Sequence, residues 1–333
     1  MTILHTLNLS TGYPSGAISE ALNLTLRRGE LVCLIGPNGA GKSTLLRTLA
    51  GLQAPLNGDV FLLDERLTGL TQAQIAQRLS LVLTERPDVG LLNGYALVAL
   101  GRHPHTDWMG RLSNYDRAMI HWAIEAVGAS DIADQPMVEM SDGQRQKLMI
   151  ARALAQDPDL MILDEPTAYL DLPRRVEVME LLAHLAHDLG QAMLITTHDL
   201  DLALRHADTI WLMGGDGTIQ VGAPEMLVFN RAFETVFAHE GVCFDPLTGT
   251  FKRQHPTSKQ VILHGTPNTV SYIWTERALT RHHWQIIPDE TNNDQPLPAV
   301  TINPTQPITW TIDTLSAIHT VDDIDELLQI LAR

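Results

Sequence analysis

Residues 36–44 read Gly36-Pro37-Asn38-Gly39-Ala40-Gly41-Lys42-Ser43-Thr44, a complete G-x-x-x-x-G-K-[ST] pattern. What flanks the pattern limits the folds that can hold it. The largely apolar run from Glu30 to Ile35 precedes it, as a buried strand would, and Leu45 to Ala50 has helical composition. Strand, glycine-rich turn and helix form the context in which this pattern becomes a phosphate loop. Gly36, Gly39 and Gly41 allow tight backbone geometry, so successive amides can converge on phosphate oxygens near a helix N-terminus. Lys42 adds a point charge for the β- and γ-phosphates, and Ser43 offers a hydroxyl to Mg²⁺. A chance glycine-rich turn is the alternative, and the flanking elements argue against it. The chain is read as an α/β nucleotide-binding protein.

Further signals follow in order. Asp159 to Glu165 reads as an apolar strand ending in two acids, Asp164 and Glu165. The first can hold Mg²⁺, and the second can polarise an attacking water. A solvated strand end is the plainer reading of this stretch alone. Upstream, Met140-Ser141-Asp142-Gly143-Gln144 leads into a helix over Lys147–Ala155, and Ser141 and Gln144 have capping-box spacing. A capped helix start also points amides outward as an anion site. Ala168-Tyr169-Leu170-Asp171 comes next, and then His198 after the run Ala192–Ile195. Alone, such a histidine is more often a packing or surface residue. Here it ends a strand, in a fold whose strand C-termini face the nucleotide.

With these motifs in place, the chain resembles the ATP-binding cassette (ABC) ATPases over roughly residues 1–240. The family pattern is a phosphate loop, a Q-loop, a Leu-Ser-Gly-Gly-Gln signature, an acid-ended strand, a D-loop and a switch histidine. In this sequence the matching segments are Gly36–Thr44, the vicinity of Glu85, Met140–Gln144, Leu160–Glu165, Ala168–Asp171 and His198. The resemblance implies a P-loop ATPase fold, with a mixed-sheet core and a helical subdomain. It implies an ATP- and Mg²⁺-dependent enzyme that closes as a head-to-tail homodimer around two ATP molecules. Ser141, Gly143 and Gln144 would then face the partner's phosphate loop, with Asp171 in the D-loop. Glu165 would be the general base, His198 the γ-phosphate sensor, and Ser43 and Asp164 the Mg²⁺ ligands. Tyr13 stands where the family places an aromatic that stacks on adenine; a surface loop aromatic is the alternative.

Two positions depart from the pattern. The signature carries Asp142 where glycine is usual. At the Q-loop, Thr84-Glu85-Arg86-Pro87 follows the strand Leu79–Leu83, and no glutamine lies between residues 78 and 100. Glu85 has the same reach as glutamine and can meet Mg²⁺ or the attacking water, but with a charge in place of an amide.

Composition agrees with this reading. A chain of 333 residues suggests two domains, and a net charge of −16 argues against nucleic acid as the main partner. Cys33 and Cys243 make no disulfide framework, and Cys33 is expected inside a buried strand. No basic n-region opens the chain and no long uncharged apolar window follows. The expectation is therefore a cytoplasmic protein that reaches the inner membrane face only through permease subunits.

Pattern also suggests the organisation. Residues 1–80 read as strands around the phosphate loop, with a turn at Asn57-Gly58-Asp59. Residues 86–157 read as the helical subdomain, with helices at Leu92–Leu100 and Tyr115–Val127. Pro224–Ala238 reads as one closing helix. The segment Leu97-Val98-Ala99-Leu100-Gly101-Arg102-His103-Pro104, with Trp108 to Leu112 beyond it, resembles the ATPase subunits of iron-chelate, haem and cobalamin importers. There it implies a surface that receives two permease subunits, with an extracytoplasmic substrate-binding protein in the full system. A metal site at His103 and His105 is a minor alternative, and His184 with His187 reads as a solvated helix face. A permease-independent ABC ATPase of nucleic-acid or ribosome biology is the rival function. Nothing resembling its paired cassettes, zinc modules or basic arms is visible.

Residues 241–333 read as a hairpin linker and a small C-terminal α/β appendage. A hairpin at Val242–Phe251 leads to a strand at Gln260–His264 and a helix at Asn268–Thr280, with Thr266 as N-cap and Pro267 in its first turn. Strands at Trp284–Ile287, Ala299–Asn303, Ile308–Ile312 and Ala317–His319 and a helix at Ile324–Leu331 complete it. From Trp284 onward eight acids stand against the lone Arg333, so this segment supplies much of the chain's acidity.

Overall fold

The computed structural model describes residues 1–84, 90, 92–237, 242–253, 259–287, 296–304 and 307–332. Contacts divide the chain into two compact units, Met1–Lys252 and Arg253–Arg333.

A six-stranded sheet forms the centre of the first unit. Its order is Ile219–Gly222, Thr209–Met213, Leu31–Ile35, Ala192–Thr196, Leu160–Asp164 and Leu79–Val82. Every pairing is parallel except that of the edge strand Ile219–Gly222. Alternation along these strands explains their unbroken apolar composition. Leu31, Cys33 and Ile35 join one hydrophobic cluster with the helices, whereas Val32 and Leu34 join a second with the antiparallel sheet. Met161 and Leu163 against Leu160 and Ile162 repeat the division. Both faces are covered, as parallel sheets require. Burial pushes the Cys33 thiol up and leaves it un-ionised, an inert core hydrophobe.

A second, antiparallel sheet pairs Thr2–Tyr13 with Gly16–Leu22, Thr25–Arg27 and Asn57–Leu62. Asn57-Gly58-Asp59, expected as a turn, instead begins the strand Asn57–Leu62. Gly58 there has φ 73° and lies so close to Asn8 that a Cβ would stand 2.2 Å from the Asn8 carbonyl oxygen. The turn-like composition records an irregularity in pairing, with the register shifting between Leu7 and Ser10.

Between the strands Leu79–Val82 and Leu160–Asp164 the chain is helical: Gly94–Ala99, a 3₁₀ stretch Leu100–His105, Asn114–Ala126 and Asp142–Ala155. The expected closing helix over Pro224–Ala238 is two short helices, Pro224–Phe229 and Ala232–Val236. Arg231 between them adopts φ 55°, which breaks the helical hydrogen bonding; Ala238 lies outside the described residues. The hairpin Val242–Asp245/Thr250–Arg253 packs onto the second of these helices. The Phe233 and Phe244 rings lie 5.1 Å apart, and Phe237 and Phe251 5.0 Å. Aromatic packing therefore carries the first unit past residue 240, to Lys252.

The second unit is a five-stranded mixed sheet in the order Trp284–Ile287, Lys259–His264, Ala299–Asn303, Thr309–Asp313, Ile318–Val321. Helices Val270–Arg281 and Ile324–Ala332 close its own core around Val261, Leu279, Val300, Ile312 and Leu327. Its first helix is capped by Thr269 and not by Thr266. Asn268 takes φ 65°, so the chain is still turning when it passes Pro267. The polar linker read at Glu290–Pro298 falls largely outside the described residues.

Candidate functional site

Strand Leu31–Ile35 delivers the glycine-rich loop at its C-terminal end, and helix Lys42–Leu49 leaves from it. Gly36 is required by space, since a Cβ there would meet the Met213 carbonyl oxygen at 2.4 Å. Gly41 is required by both space and conformation. It adopts φ 107°, and a Cβ would stand 2.3 Å from Ile18 Cγ2. Gly41 is also the helix N-cap, and no side chain caps it, so the first-turn amides are left for another acceptor. Asn38 and Gly39 are exposed, Pro37 is half-buried and Ala40 is buried. Ser43 is exposed at the helix start, whereas Thr44 is buried and its carbonyl accepts from the Thr48 hydroxyl. The Lys42 ammonium donates to the carbonyls of Gly36 (2.8 Å) and Pro37 (3.0 Å), and so is folded into the loop. Burial pushes its pKa down; the carboxylates of Glu165 and Asp164 oppose that shift.

Those two acids end strand Leu160–Asp164, two strands from the loop strand. Glu165 Oε1 lies 2.6 Å from His198 Nε2. Glu165 has φ 51°, a left-handed conformation unusual for a side chain of its size. The Thr196 hydroxyl donates to Asp164 Oδ1 at 2.6 Å and accepts from the Glu165 amide at 2.8 Å. Thr84 donates to the Asp164 carbonyl at 2.9 Å. Phosphate loop, paired acids and histidine therefore form one cluster. Glu85, the Q-loop candidate, lies outside the described residues.

The signature segment forms a second cluster. Ser141 caps helix Asp142–Ala155, with Gln144 N donating to its hydroxyl and Gln144 Oε1 accepting from Ser141 N. A Cβ on Gly143 would meet Arg174 Nη1 at 2.6 Å. Arg174 belongs to helix Leu172–His187, whose N-cap is Asp171. Ser141, Gly143 and Asp171 thus all border Arg174, and Asp171 already serves as an ordinary cap. Tyr13 ends strand Thr2–Tyr13, half-exposed, opposite Gly16. Its hairpin borders the phosphate loop through the contact of Ile18 with Gly41.

The importer-like segment divides into interior and surface. Arg102 is almost wholly buried, donating to Asp116 Oδ1 and to the Ala155 carbonyl, each at 2.8 Å. Gly101 is held by space, since a Cβ would meet the Arg152 carbonyl oxygen at 2.1 Å. Trp108 is 93% exposed and Met109 51%. His105 contacts the Gln156 carbonyl, and His184 and His187 contact Asp188 and Asp208. Among the described residues no cluster of three or more His, Cys, Asp or Glu can hold a metal. Mg²⁺ makes no such demand, because one carboxylate, a hydroxyl, phosphate oxygens and waters suffice. Asp164 and Ser43 are hard oxygen donors of that kind. No helix among the described residues is long and apolar enough to cross a membrane.

Sequence reasoning missed Thr196 and Arg174. Thr196 stands level with Asp164 only through the register of two parallel strands distant in sequence, and nothing local marks either residue.

Residues 19–168 match the family model described as ABC transporter, and residues 258–332 the one described as iron ABC transporter C-terminal domain. The chain is 42% identical over 250 residues to an uncharacterized ABC transporter ATP-binding protein of Methanocaldococcus jannaschii, covering 75% of this chain and 86% of that one. It is 35% identical over 269 residues to the achromobactin transport ATP-binding protein of Dickeya dadantii, covering 79% of this chain and 100% of that one. Its fold is similar to a dimeric ATP-binding cassette in a post-hydrolysis state bound to ADP and Pi. There the TM-score is 0.57 at 25% identity, over 67% of this chain and 99% of that one.

Proposed function

The chain belongs to the ATP-binding subunits of ABC transporters of the iron-siderophore and cobalamin importer family, and from that premise we propose how its residues divide the work. ATP is held by the amides of Gly36–Thr44 and by Lys42, with Tyr13 against the adenine. Asp164 and Ser43 would hold Mg²⁺, which when bound neutralises charge on the β- and γ-phosphates. Glu165 takes the proton of the attacking water, and His198 steadies Glu165 and the γ-phosphate. Ser141, Gly143 and Gln144 of a second copy complete the site when two chains close head to tail, and Asp171 lies at that seam. Glu85 would offer a carboxylate, in place of the usual amide, to Mg²⁺ or to the attacking water. Closure is passed to two membrane-spanning permease subunits across the surface around Trp108 and Met109. A binding protein outside the membrane supplies a ferric siderophore or similar chelate. The subunit so placed works at the cytoplasmic face of the membrane, and nucleic acid has no part in it.

One observation carries this reading: the Glu165–His198 contact of 2.6 Å beside a phosphate loop. Glu165→Gln keeps the shape and removes the base. Turnover should fall about 10²–10⁴-fold, while ATP binding survives and light scattering shows ATP-dependent dimers. ATPase activity within twofold of wild type would remove Glu165 from the role.

A further inference from the structure

We propose that Thr196 is a positioning residue for hydrolysis, one hydroxyl that sets both acids of the site at once. Strand register places it. In the parallel pairing of Leu160–Asp164 with Ala192–Thr196, the partner of Asp164 is Thr196. The side chain is 1% exposed, so water does not compete for its hydrogen bonds. A hydroxyl has one proton to give, and Thr196 gives it to Asp164 Oδ1 at 2.6 Å. It accepts from the Glu165 amide at 2.8 Å.

The second bond matters because of Glu165's backbone. A φ of 51° is a strained conformation for glutamate, and it persists only where the surroundings hold it. Thr196 supplies part of that hold, and the Glu165 carboxylate is thereby aimed at His198. The first bond fixes which oxygen of Asp164 is engaged, and with it the carboxylate plane that would meet Mg²⁺. Neighbouring Thr197 serves the next turn, its hydroxyl accepting from the Asp199 amide. The inference rests on the reading of Asp164 and Glu165 given above.

The test uses the full chain with Thr196→Val, which is isosteric, and Thr196→Ser, which keeps the hydroxyl. Thr196→Val should lower kcat about 10²-fold, the scale expected when reacting groups are displaced by about 1 Å. Binding of fluorescent MANT-ATP in EDTA should stay within twofold of wild type. The Mg²⁺ concentration that half-saturates the MANT-ATP response should rise several-fold. Thr196→Ser should restore all of these to within about threefold. Thr196→Ala carries the same expectation as Thr196→Val if the valine protein is insoluble. A hydroxyl-less variant with wild-type kcat overturns the proposal. So does one whose kcat falls only in step with its EDTA-MANT-ATP binding, because that marks a merely structural role. Glu165→Gln, run in parallel, separates the two ideas. An inactive Glu165→Gln beside a fully active Thr196→Val removes this inference alone, whereas an active Glu165→Gln removes the reading beneath it.

Discussion

Lys42 is a single residue on which three charges meet. Its ammonium is bound by two loop carbonyls, lowered in pKa by burial, and drawn the other way by Glu165 and Asp164. Incoming phosphate oxygens would take over from the carbonyls as acceptors for that charge. Replacing Lys42 by Ala removes the charge and leaves the loop backbone free to keep its shape, because the glycines set that shape. We expect nucleotide affinity to fall about 10–100-fold, the equivalent of a charged hydrogen bond, measured by MANT-ATP titration. Unchanged affinity would show that the amides alone hold the phosphates. Gly36 and Gly41 tolerate no such exchange, since backbone and a packed side chain already fill the space a Cβ needs.

Among elements, the helical segment is pinned by one buried ion pair. Arg102, in the 3₁₀ stretch Leu100–His105, reaches Asp116 at the start of helix Asn114–Ala126 and the Ala155 carbonyl at the end of the signature helix. Three elements are tied by one guanidinium. Burial alone would raise the Asp116 carboxyl. The Ser113 hydroxyl and amide together with Arg102 outweigh it and hold Asp116 below the ordinary carboxylate range. Arg102→Met leaves that carboxylate buried and short of a partner, and should cost about 3–5 kcal/mol in urea unfolding at pH 7. A depressed carboxyl contributes its stability above its unfolded pKa of about 3.9 and loses it as pH falls through the lower native value. The difference between wild type and Arg102→Met should therefore shrink on acidification. A cost below 1 kcal/mol at pH 7 would show that the pair is dispensable. The sequence suggested a docking surface for this whole segment; Trp108 and Met109 are exposed, and Arg102 is interior scaffold.

At the scale of the molecule, each of the two units has a hydrophobic core of its own. All residues assigned to ATP chemistry lie in the first, and the hairpin belongs to it through Phe233, Phe244 and Phe251. A chain ending after Arg253 keeps that hairpin. It should stay folded and hydrolyse ATP within a few-fold of the full chain, consistent with a regulatory or dimer-stabilising role for the second unit. A chain ending at residue 240 exposes the aromatic seam and should be less stable by thermal melting. An insoluble or inactive 1–253 protein would mean that the first unit depends on the second.

Much of this was legible in the sequence because it is written in short-range pattern. The phosphate loop, the acid-ended strand, the Ser141–Gln144 capping box and the five strands after residue 258 depend on residues within a few positions of one another. The misreadings share a cause. Gly58 looked like a turn because glycine marks any left-handed residue, inside a strand or out of it. Pro224–Ala238 looked like one helix because Arg231 carries no sign of its φ. Thr266 looked like a cap because nothing local says the chain is still turning at Asn268. What only the tertiary structure decided is which distant residues stand level with one another. Register between parallel strands set Thr196 against Asp164, packing buried Arg102 on Asp116, and the fold laid Arg174 over Gly143. Pairing across a sheet is fixed by the whole core and not by neighbours along the chain, so no local pattern carries it.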